Sequence, residues 1–571
     1  MDQQRPFLYL TLFFLGFLIW STWQQEHAPK PIKPVGQTEQ NQANANNNDL
    51  VPTGSSVGET LTKTVPKENS ANNNNASATL IHVKTDVLDL MISTQGGTIV
   101  QADLPSHPIS LEEKDKATRV IDPKKKYAAQ SGLIYQGNNG TDLAPSHYAN
   151  FKAEKKEYSL QEGQTELVVP LVWSNGKGLT VTKTFIFKRG SFLINQSQKI
   201  DNQTADAWNG NEYLELTHAE HSRTGSLLSG DIAYVGPAYY NNKYSKIDFG
   251  DIKDGELKDI SSAEINALTD DEKEERLVKG GWAAMLKHYF ISAWVPVKEN
   301  INTYYSRFSE SNDNYIIGIK SPVKMINSGA SDVFTSQLYV GPTDQAALEK
   351  ISEGLDLTVD YGVFAFVSKP IFAVMSFINR NIVSNWGWTI ILLTLFIKII
   401  FFYPSAVSYR SMAKMKKLSP KIKEISEKYK NDPQTKQKET MAFYRKEKIN
   451  PLGGCLPMLI QMPVFMGLYW VLQESVELRQ APWILWYKDL SIMDPTFILP
   501  IIMGASMFLQ QKLNPPAMQD PMQQKIFMYL PLVFTVMFLF FPAGLVLYWV
   551  VNNILSIAQQ WFINKKIIGD G

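Results

Sequence analysis

The sequence predicts a multi-domain membrane protein with an α-helical transmembrane bundle of six spans, a large exported β-sandwich domain and a cytoplasmic helical hairpin. The chain has 571 residues, and single hydrophobic cores rarely grow beyond about 250 to 300 residues, so several units are needed. Apolar and polar residues alternate with a period of two between about residues 79 and 340. Later in the chain come apolar runs that could cross a bilayer, with a strongly basic loop between two of them.

The first element is an apolar run of 17 residues, Phe7 to Trp23. This is close to the shortest helix that spans a bilayer. A signal peptide is the alternative, but the run ends Ile19-Trp-Ser-Thr-Trp23 and lacks the small-residue cleavage pattern. We therefore expect an uncleaved anchor at residues 1–23. Residues 24–78 are rich in Asn, Gln, Thr, Ser and Pro, a composition typical of a flexible linker.

Residues 79–352 carry the strand pattern. Ile81, Val83, Thr85 and Val87 alternate with polar residues, and so does the segment Leu179 to Phe187. Gly96-Gly97 and Arg189-Gly190 lie where hairpin turns would fall. The prediction is a large sandwich, with a helix near its end that Thr343 caps and that runs to about Ser352.

The membrane part begins after Asp360. Residues 361–381 are apolar but interrupted by Lys369-Pro370, which favours an amphipathic helix lying in the membrane interface. Residues 382–563 then hold five spanning candidates, two of them shorter than the roughly 20 residues that cross hydrocarbon comfortably. The five candidates are Val383 to Tyr403, Leu456 to Val476, Phe497 to Leu509, Ile526 to Phe541 and Ala543 to Ile563. With the anchor they make six spans.

Charge sets the expected orientation. The loop from Pro404 to Gly454 carries 13 basic and 5 acidic residues, which leaves 43 basic and 50 acidic residues elsewhere. The positive-inside rule then places this loop and the basic tail at residues 564–571 in the cytoplasm. Both termini fall inside and the β domain outside. The only cysteine, Cys455, excludes an intramolecular disulfide.

The basic loop is predicted to form a helical hairpin over residues 405–450. Asn431-Asp-Pro433 breaks it, and a second helix runs from about Gln434 to Lys448. Such a hairpin is either a solvated lid or a dock for ribosomal RNA and acidic lipid headgroups. Its first helix has apolar residues at heptad spacing: Met415, Leu418, Ile422, Ile425 and Tyr429.

Lys398 is the most informative residue, because it lies inside the apolar run that ends at Tyr403. A lysine at the centre of a span costs about 2.5 to 3.5 kcal/mol and is tolerated where it faces a bundle interior or a watery cavity. The alternative is a lysine that snorkels to the cytoplasmic interface five residues away. Thr394 lies four residues earlier, on the same helix face. This polar stripe favours a groove.

No catalytic set is evident. The pair His218 and His221 resembles a metal site, but residues three apart point to opposite faces of a strand, and a third ligand is not evident nearby. Neither a nucleotide-binding glycine loop nor a G-x-S-x-G sequence occurs. We expect neither an enzyme nor a bound cofactor.

The sequence resembles the YidC/Oxa/Alb membrane protein insertases, in particular the long YidC form of Gram-negative bacteria. The resemblance covers nearly the whole chain and is strongest from Trp386 onward. The matching segments are Asn385 to Gly387, Tyr409 to Met415, Lys448 to Cys455, Leu459 to Pro463, Val476 to Pro482, Asp520 to Lys525 and Phe541 to Tyr548, with Val83 to Leu90 and Trp282 to Pro296 in the β domain.

The resemblance implies an insertase core with five spans around a hydrophilic groove that carries one positive charge, often an arginine. Lys398 falls on that position, although one extra residue before Tyr403 leaves the register open. The substrate path of the family runs beside Thr394, Gln461, Met462 and Trp549, the last of which is often a tyrosine.

The resemblance also implies partners and a location. Its clients are nascent membrane proteins, inserted alone or beside the Sec translocon and without ATP. The ribosome would bind the hairpin and tail, anionic phospholipids would surround them, and DNA is not expected. The location is the bacterial inner membrane, with a periplasmic β domain. The rival interpretations are a transporter or channel, and a carbohydrate-active enzyme anchored by the helices.

Overall fold

The computed structural model of the chain describes residues 51–52, 78–137, 143–219, 234–259, 262–269, 272–273, 276–430, 432–447, 456–513 and 521–566. The predicted anchor at 1–23 lies outside these residues, as do most of the linker and the end of the tail. The described residues form a β-rich unit followed by a helical one.

Twenty strands occur among the described residues. They are β1 Leu80–Lys84, β2 Asp89–Ser93, β3 Thr98–Pro108, β4 Ala117–Ile121, β5 Ala128–Tyr135, β6 Lys152–Ala153, β7 Glu157–Ser159, β8 Glu166–Ser174, β9 Leu179–Lys188, β10 Leu193–Asn202, β11 Trp208–His218, β12 Gly236–Tyr240, β13 Tyr244–Lys246, β14 Leu277–Lys279, β15 Trp282–Lys287, β16 Phe290–Pro296, β17 Ile301–Ser309, β18 Asn314–Lys320, β19 Lys324–Ile326 and β20 Ser331–Pro342.

The strands form two sheets. The first has the order β14-β17-β18-β11-β5-β3-β2-β1-β7, with β19 on β11 and β4 on β3. The second has the order β13-β12-β15-β16-β20-β10-β9-β8-β6. Strand β1 runs parallel to β7, whereas β10 pairs antiparallel with β20 from Leu193–Tyr339 to Asp201–Ser331. The inner faces of both sheets share one core, which makes the β domain a sandwich.

The period of two explains this packing. Along β9 the buried residues are Leu179, Val181, Lys183, Phe185 and Phe187, while the residues between them are partly exposed. Lys183 is the one charged residue among these buried side chains. Its ammonium donates to the carbonyls of Gly96 and Ser131 at 2.6 and 2.8 Å. Burial lowers the pKa of Lys183 to about 7.

The hairpin turns lie where the glycines predict them. Gly96 and Gly97, with φ of 71° and 63°, join β2 to β3, and Gly190, with φ of 71°, lies between β9 and β10. The predicted cap at Thr343 is wrong. The helix Gln345–Ile351 begins after Asp344, whose carboxylate accepts the Ala347 N–H at 3.0 Å. Aspartate is the better cap because its short charged side chain reaches the free N–H groups.

Eleven α-helices occur among the described residues. They are α1 Phe249–Lys253, α2 Ser262–Ala267, α3 Gln345–Ile351, α4 Ala365–Asn381, α5 Trp386–Ile400, α6 Phe402–Lys428, α7 Pro433–Lys446, α8 Leu456–Glu474, α9 Ile498–Leu513, α10 Pro521–Phe538 and α11 Ala543–Lys566. Helices α4, α5 and α8 to α11 pack around one apolar core.

Helix length alone does not establish six spans. In the part of the chain that the structure describes, Gly362–Asn381 is the one helix both long and apolar enough to cross a membrane by itself. The stretch predicted as Val383 to Tyr403 is broken, because α5 and the start of α6 meet at a bend of 68°. The number of spans and the interfacial position of residues 361–381 therefore stay predictions.

The basic loop forms a hairpin of two helices. Helix α6 continues from the bend to Lys428, and Asp432 caps α7 by accepting the N–H groups of Gln434 and Thr435 at 3.2 and 3.1 Å. Ile422 of α6 and Tyr444 of α7 are buried in one small apolar cluster between the two helices. The seam ends earlier than predicted, since Tyr429 lies beyond the end of α6.

The β domain contacts the loop that follows α8. Arg479 donates through Nη2 to the carbonyls of Pro108 and Ile109 at 2.7 and 2.9 Å. Its guanidinium also lies 5.5 Å from the centre of the Phe290 ring. His288 is hydrogen-bonded to the Gln473 carbonyl at 2.9 Å. These contacts join two units that are far apart in sequence.

Candidate functional site

Lys398 faces another helix of the bundle. The Lys398 ammonium on α5 donates to Ser556 Oγ on α11 at 2.7 Å. Ser556 is buried, and its own hydroxyl proton is donated to the Asn552 carbonyl at 2.7 Å. The next residue along α5, Ile399, is 65% exposed and lies on the outer side. The side chain of Lys398 is therefore directed toward the interior of the bundle.

The charge of Lys398 has no carboxylate partner among the described residues, where the hydroxyl of Ser556 is the hydrogen-bond acceptor that the structure gives it. A hydroxyl accepts a hydrogen bond but carries no net charge, so it orients the ammonium without neutralising it. An ammonium in this state can still attract an anionic group.

Thr394 lies on the same side of α5 as Lys398. It is 1% exposed, and its hydroxyl donates to the Ile390 carbonyl of its own helix at 2.7 Å. This is the usual internal bond of a threonine in a helix. Thr394 thus adds a polar atom to the inner face of α5 while its proton is already used.

Helix α11 presents a stripe of polar side chains toward its neighbours. Asn553 donates through Nδ2 to Ser506 Oγ on α9 at 2.9 Å. Gln559 donates to the Phe402 carbonyl at the start of α6 at 3.3 Å. The amides of this stripe were evident in the sequence, but Ser506 and Ser556 were missed. The signal was the spacing of Ser556, four residues after Asn552 and hence on the same face.

Gln461 and Met462 are neighbours on α8 and point in different directions. Gln461 is partly buried, and its Nε2 is buried without a hydrogen-bond acceptor in the described part of the protein. Met462 is 43% exposed. The structure shows no hydrogen bond between either side chain and Lys398. The two residues nevertheless offer one free donor and one flexible apolar surface.

Trp549 joins three helices. Its ring centre lies 4.9 Å from that of Phe465 on α8, in an edge-to-face arrangement, and 5.4 Å from that of Phe538 on α10. The indole Nε1 is buried and has no acceptor among the described residues. Trp549 lies seven residues before Ser556, so both belong to the same side of α11.

The site therefore combines an ammonium, hydroxyls, amides and aromatic rings. Groups of three or more His, Cys, Asp or Glu side chains that could hold a metal ion do not occur among the described residues. The charge of the Lys398 ammonium suits a carboxylate, and the N–H groups of Gln461 and Trp549, which lack acceptors in the part of the chain that the structure describes, suit acceptors such as backbone carbonyls.

Known proteins share this organisation. Residues 80–374 match the family of YidC periplasmic domains, and residues 377–570 match the family of 60 kDa inner membrane proteins. A membrane protein insertase YidC of Thioalkalivibrio sulfidiphilus is 45% identical over 583 residues, which cover 99% of each chain. That of Methylococcus capsulatus is 43% identical over 570 residues, again with 99% of each chain covered.

Solved structures add only loose likenesses. An active YidC insertase is 16% identical, with 85% of this chain and 94% of that chain covered and a TM-score of 0.36. A galactose mutarotase related enzyme from Lactobacillus acidophilus is 9% identical, covers 46% of this chain and 97% of its own, and has a TM-score of 0.26. Neither likeness carries an argument about function. The full-length relatives do, and the chain belongs to the YidC family of membrane protein insertases.

Proposed function

We propose that this insertase moves its clients through a hydrophilic groove in the inner membrane whose single positive charge is Lys398. One observation carries the proposal: the Lys398 ammonium is turned into the bundle and is hydrogen-bonded to a neutral hydroxyl on α11. A snorkelling lysine would instead extend toward the cytoplasmic end of α5.

The proposed mechanism is electrostatic and passive. The acidic or polar tail of a client enters the groove from the cytoplasm and is attracted by Lys398. Two opposite charges 4 Å apart attract with about 1 kcal/mol in water but about 4 kcal/mol at an effective dielectric constant of about 20. Partly buried polar surroundings therefore strengthen the attraction. Because the tail enters the groove first, it has to cross only the part of the hydrocarbon that lies beyond the groove.

Other groups along the path would bind the peptide more weakly. Gln461 Nε2 and Trp549 Nε1 are buried donors without acceptors among the described residues, so a passing backbone carbonyl could satisfy either of them. Met462 offers an exposed, flexible apolar contact to the hydrophobic segment. The segment then partitions into lipid. The membrane potential contributes about 2.3 kcal/mol per charge per 100 mV, so ATP is not required.

The cytoplasmic hairpin supplies the proposed docking surface. The surplus of basic residues in the loop favours ribosomal RNA and anionic phospholipid headgroups, and we assign the ribosome to the hairpin and basic tail. The same charge favours cytoplasmic termini and a multi-pass topology. Cooperation with the Sec translocon rests on the family alone.

The test uses cells depleted of their own insertase and complemented with variants of this chain. Insertion is measured as protease protection of the exported tail of a small client. Lys398→Arg should retain activity because guanidinium keeps the charge, whereas Lys398→Ala and Lys398→Glu should fail, most severely for acidic tails. Protein level and topology serve as controls. Full activity of Lys398→Ala would contradict the groove charge and favour a snorkelling anchor.

A further inference from the structure

Ser556 is the residue that meets the Lys398 side chain across the contact between α5 and α11. We propose that Ser556 is the positioning residue of the groove charge: its hydroxyl oxygen holds the Lys398 ammonium at the inner face of the bundle and leaves the charge available to the client. This inference rests on the proposed function, because it presumes that Lys398 acts on clients.

The hydrogen bonds give the Ser556 hydroxyl a defined direction. A serine hydroxyl has one proton and two acceptor lone pairs. Ser556 donates its proton to the Asn552 carbonyl one turn earlier, at 2.7 Å. Its lone pairs are therefore the part that faces Lys398, and the ammonium is the donor in the bond of 2.7 Å. The back-bond on α11 orients Ser556 before any client arrives.

A lysine needs such a partner at this position. Its side chain has about 2 kcal/mol of rotamer entropy and can follow a helix toward the interface. Tyr403 and the cytoplasmic end of the span are only five residues away. The acceptor on α11 opposes that movement, because a hydrogen bond to a charged group is stronger than one between neutral groups.

The neutral character of Ser556 matters as much as its position. A carboxylate there would hold the ammonium more firmly, but it would pair with the charge and compete with an acidic client. A hydroxyl holds the ammonium and leaves its net charge intact. The pairing of a lysine with a serine thus suits a charge that must be fixed in place and still attract a mobile anion.

A packing role is the competing explanation for Ser556, because small residues let membrane helices approach closely. The two roles predict different variants to fail. Ser556→Ala keeps the small size and loses the acceptor, whereas Ser556→Thr adds a methyl group and keeps both the hydroxyl and the back-bond to residue i−4. A positioning role predicts that Ala is harmful and Thr tolerated.

The experiment is a double-mutant cycle in insertase-depleted cells with Ser556→Ala, Ser556→Thr, Lys398→Ala and the double variant Lys398→Ala/Ser556→Ala. Two small clients are compared that differ only in whether the tail carries carboxylates or the corresponding amides. We expect Ser556→Ala to lower insertion of the acidic client by at least about tenfold, because a hydrogen bond to a charged group is stronger than one between neutral groups. The amide client should respond less, and the double variant should equal Lys398→Ala.

The outcomes separate the inference from the proposed function. Normal insertion by Ser556→Ala, together with failure of Lys398→Ala, would overturn the positioning role and leave the groove charge in place. Failure of Ser556→Thr with normal insertion by Ser556→Ala would assign Ser556 to packing and also overturn the inference. Equal losses of both clients with Ser556→Ala, added to the loss caused by Lys398→Ala, would show that Ser556 acts independently of the charge and would overturn the inference as well. Full activity of Lys398→Ala with the acidic client would overturn the proposed function itself.

Discussion

Lys398 and Ser556 are separated by 158 positions in the chain, yet the ammonium of one lies 2.7 Å from the hydroxyl of the other. The adjacent Ile399 and Ile400 are 65% and 56% exposed. One step along α5 thus moves a side chain from the inner face of the bundle to its outer face. The proposed groove charge therefore requires the lysine to lie on the inner side of α5 as well as at the right depth in the membrane.

Exchanging the lysine with its neighbour tests that conclusion. The double variant Lys398→Ile/Ile399→Lys keeps the composition and almost the depth of the charge but turns it by about 100° away from α11. We expect insertion of an acidic client to fall to the level of Lys398→Ala, measured by tail protection in depleted cells. Lys398→Arg is the matched control. Wild-type insertion by the exchanged variant would show that only the depth of the charge matters.

The basic surface of the hairpin gives a second prediction. Lys421, Lys423, Lys428 and Lys430 are all exposed on or just after α6. Replacing the four with glutamine should weaken binding to ribosomes and anionic vesicles by at least about tenfold, since each lysine near such a surface contributes about 1 kcal/mol.

The measurement for this variant is cosedimentation with ribosomes and flotation with vesicles over a range of salt concentrations. The matched control replaces the exposed Glu424 and Glu427 with glutamine, and it should bind at least as well as the unmodified chain. Unchanged binding and unchanged salt dependence of the lysine variant would refute electrostatic docking by the hairpin.

Removal of the β domain should spare insertion itself. The candidate groove residues all lie on α5, α8 and α11, and the β domain contacts the loop after α8 through Arg479. We expect a chain lacking residues 24–352 to insert a small client at a substantial fraction of the normal rate. If the shortened protein accumulates normally but inserts nothing, the β domain must be part of the machine. Arg479→Ala in the full chain is the milder comparison.

His147 predicts how acid affects the β domain. The side chain is 7% exposed and hydrogen-bonded to the Tyr213 hydroxyl at 2.7 Å, and burial lowers its pKa to about 4. The unfolded chain therefore binds a proton more readily than the folded one. The contribution of His147 to the free energy of unfolding is fully present above about pH 6.5. It falls by on the order of 1 to 3 kcal/mol as the pH decreases toward 4.

The measurement compares the chain with its His147→Gln variant in urea titrations at pH 7.5 and pH 5, followed by circular dichroism of the β-sheet signal. Because the variant lacks the titrating ring, its loss of stability on acidification should be smaller. Other groups act in both proteins and cancel in the difference. Equal losses would mean that His147 does not contribute to the acid sensitivity.

Gly387 predicts a packing defect. A Cβ atom at this position would lie 2.1 Å from Cδ1 and 2.2 Å from Cγ of Trp483. Gly387→Ala should therefore destabilise the first turn of α5 by about 1 to 3 kcal/mol and lower the amount of folded protein in the membrane. The second change Trp483→Ala should restore part of it.

The control for this variant is Gly250→Ala, because a Cβ built at Gly250 has no atom within 4 Å apart from its chain neighbours and the backbone of its own helix. Protein level by immunoblot and resistance to limited proteolysis are the measurements. If Gly387→Ala matches Gly250→Ala, the contact with Trp483 does not constrain α5.

The motif around Gly387 shows how sequence and structure divide the explanation. Asn385-Trp-Gly387 stood out as a resemblance, without a physical reason. In the structure, Asn385 accepts the N–H groups of Gly387 and Trp388 and donates to the carbonyls of Pro482 and Trp483 at 3.1 and 3.2 Å. The motif caps α5 and ties it to a loop about 97 residues away. Sequence patterns relate residues that are close in the chain, so they could not identify the loop with Pro482 and Trp483 as the partner of Asn385.

The sequence by itself determined the β-rich first half, the apolar helical second half and the two arms of the hairpin, because periodicity, composition and helix breakers act over short distances. It also singled out Lys398, since a charge in an apolar run is costly wherever it points. Only the tertiary structure decided that Lys398 faces Ser556, that α5 breaks before α6, and that Arg479 meets the β domain. Each of these depends on which distant surfaces bury one another, and that choice is made by the packing of the whole chain.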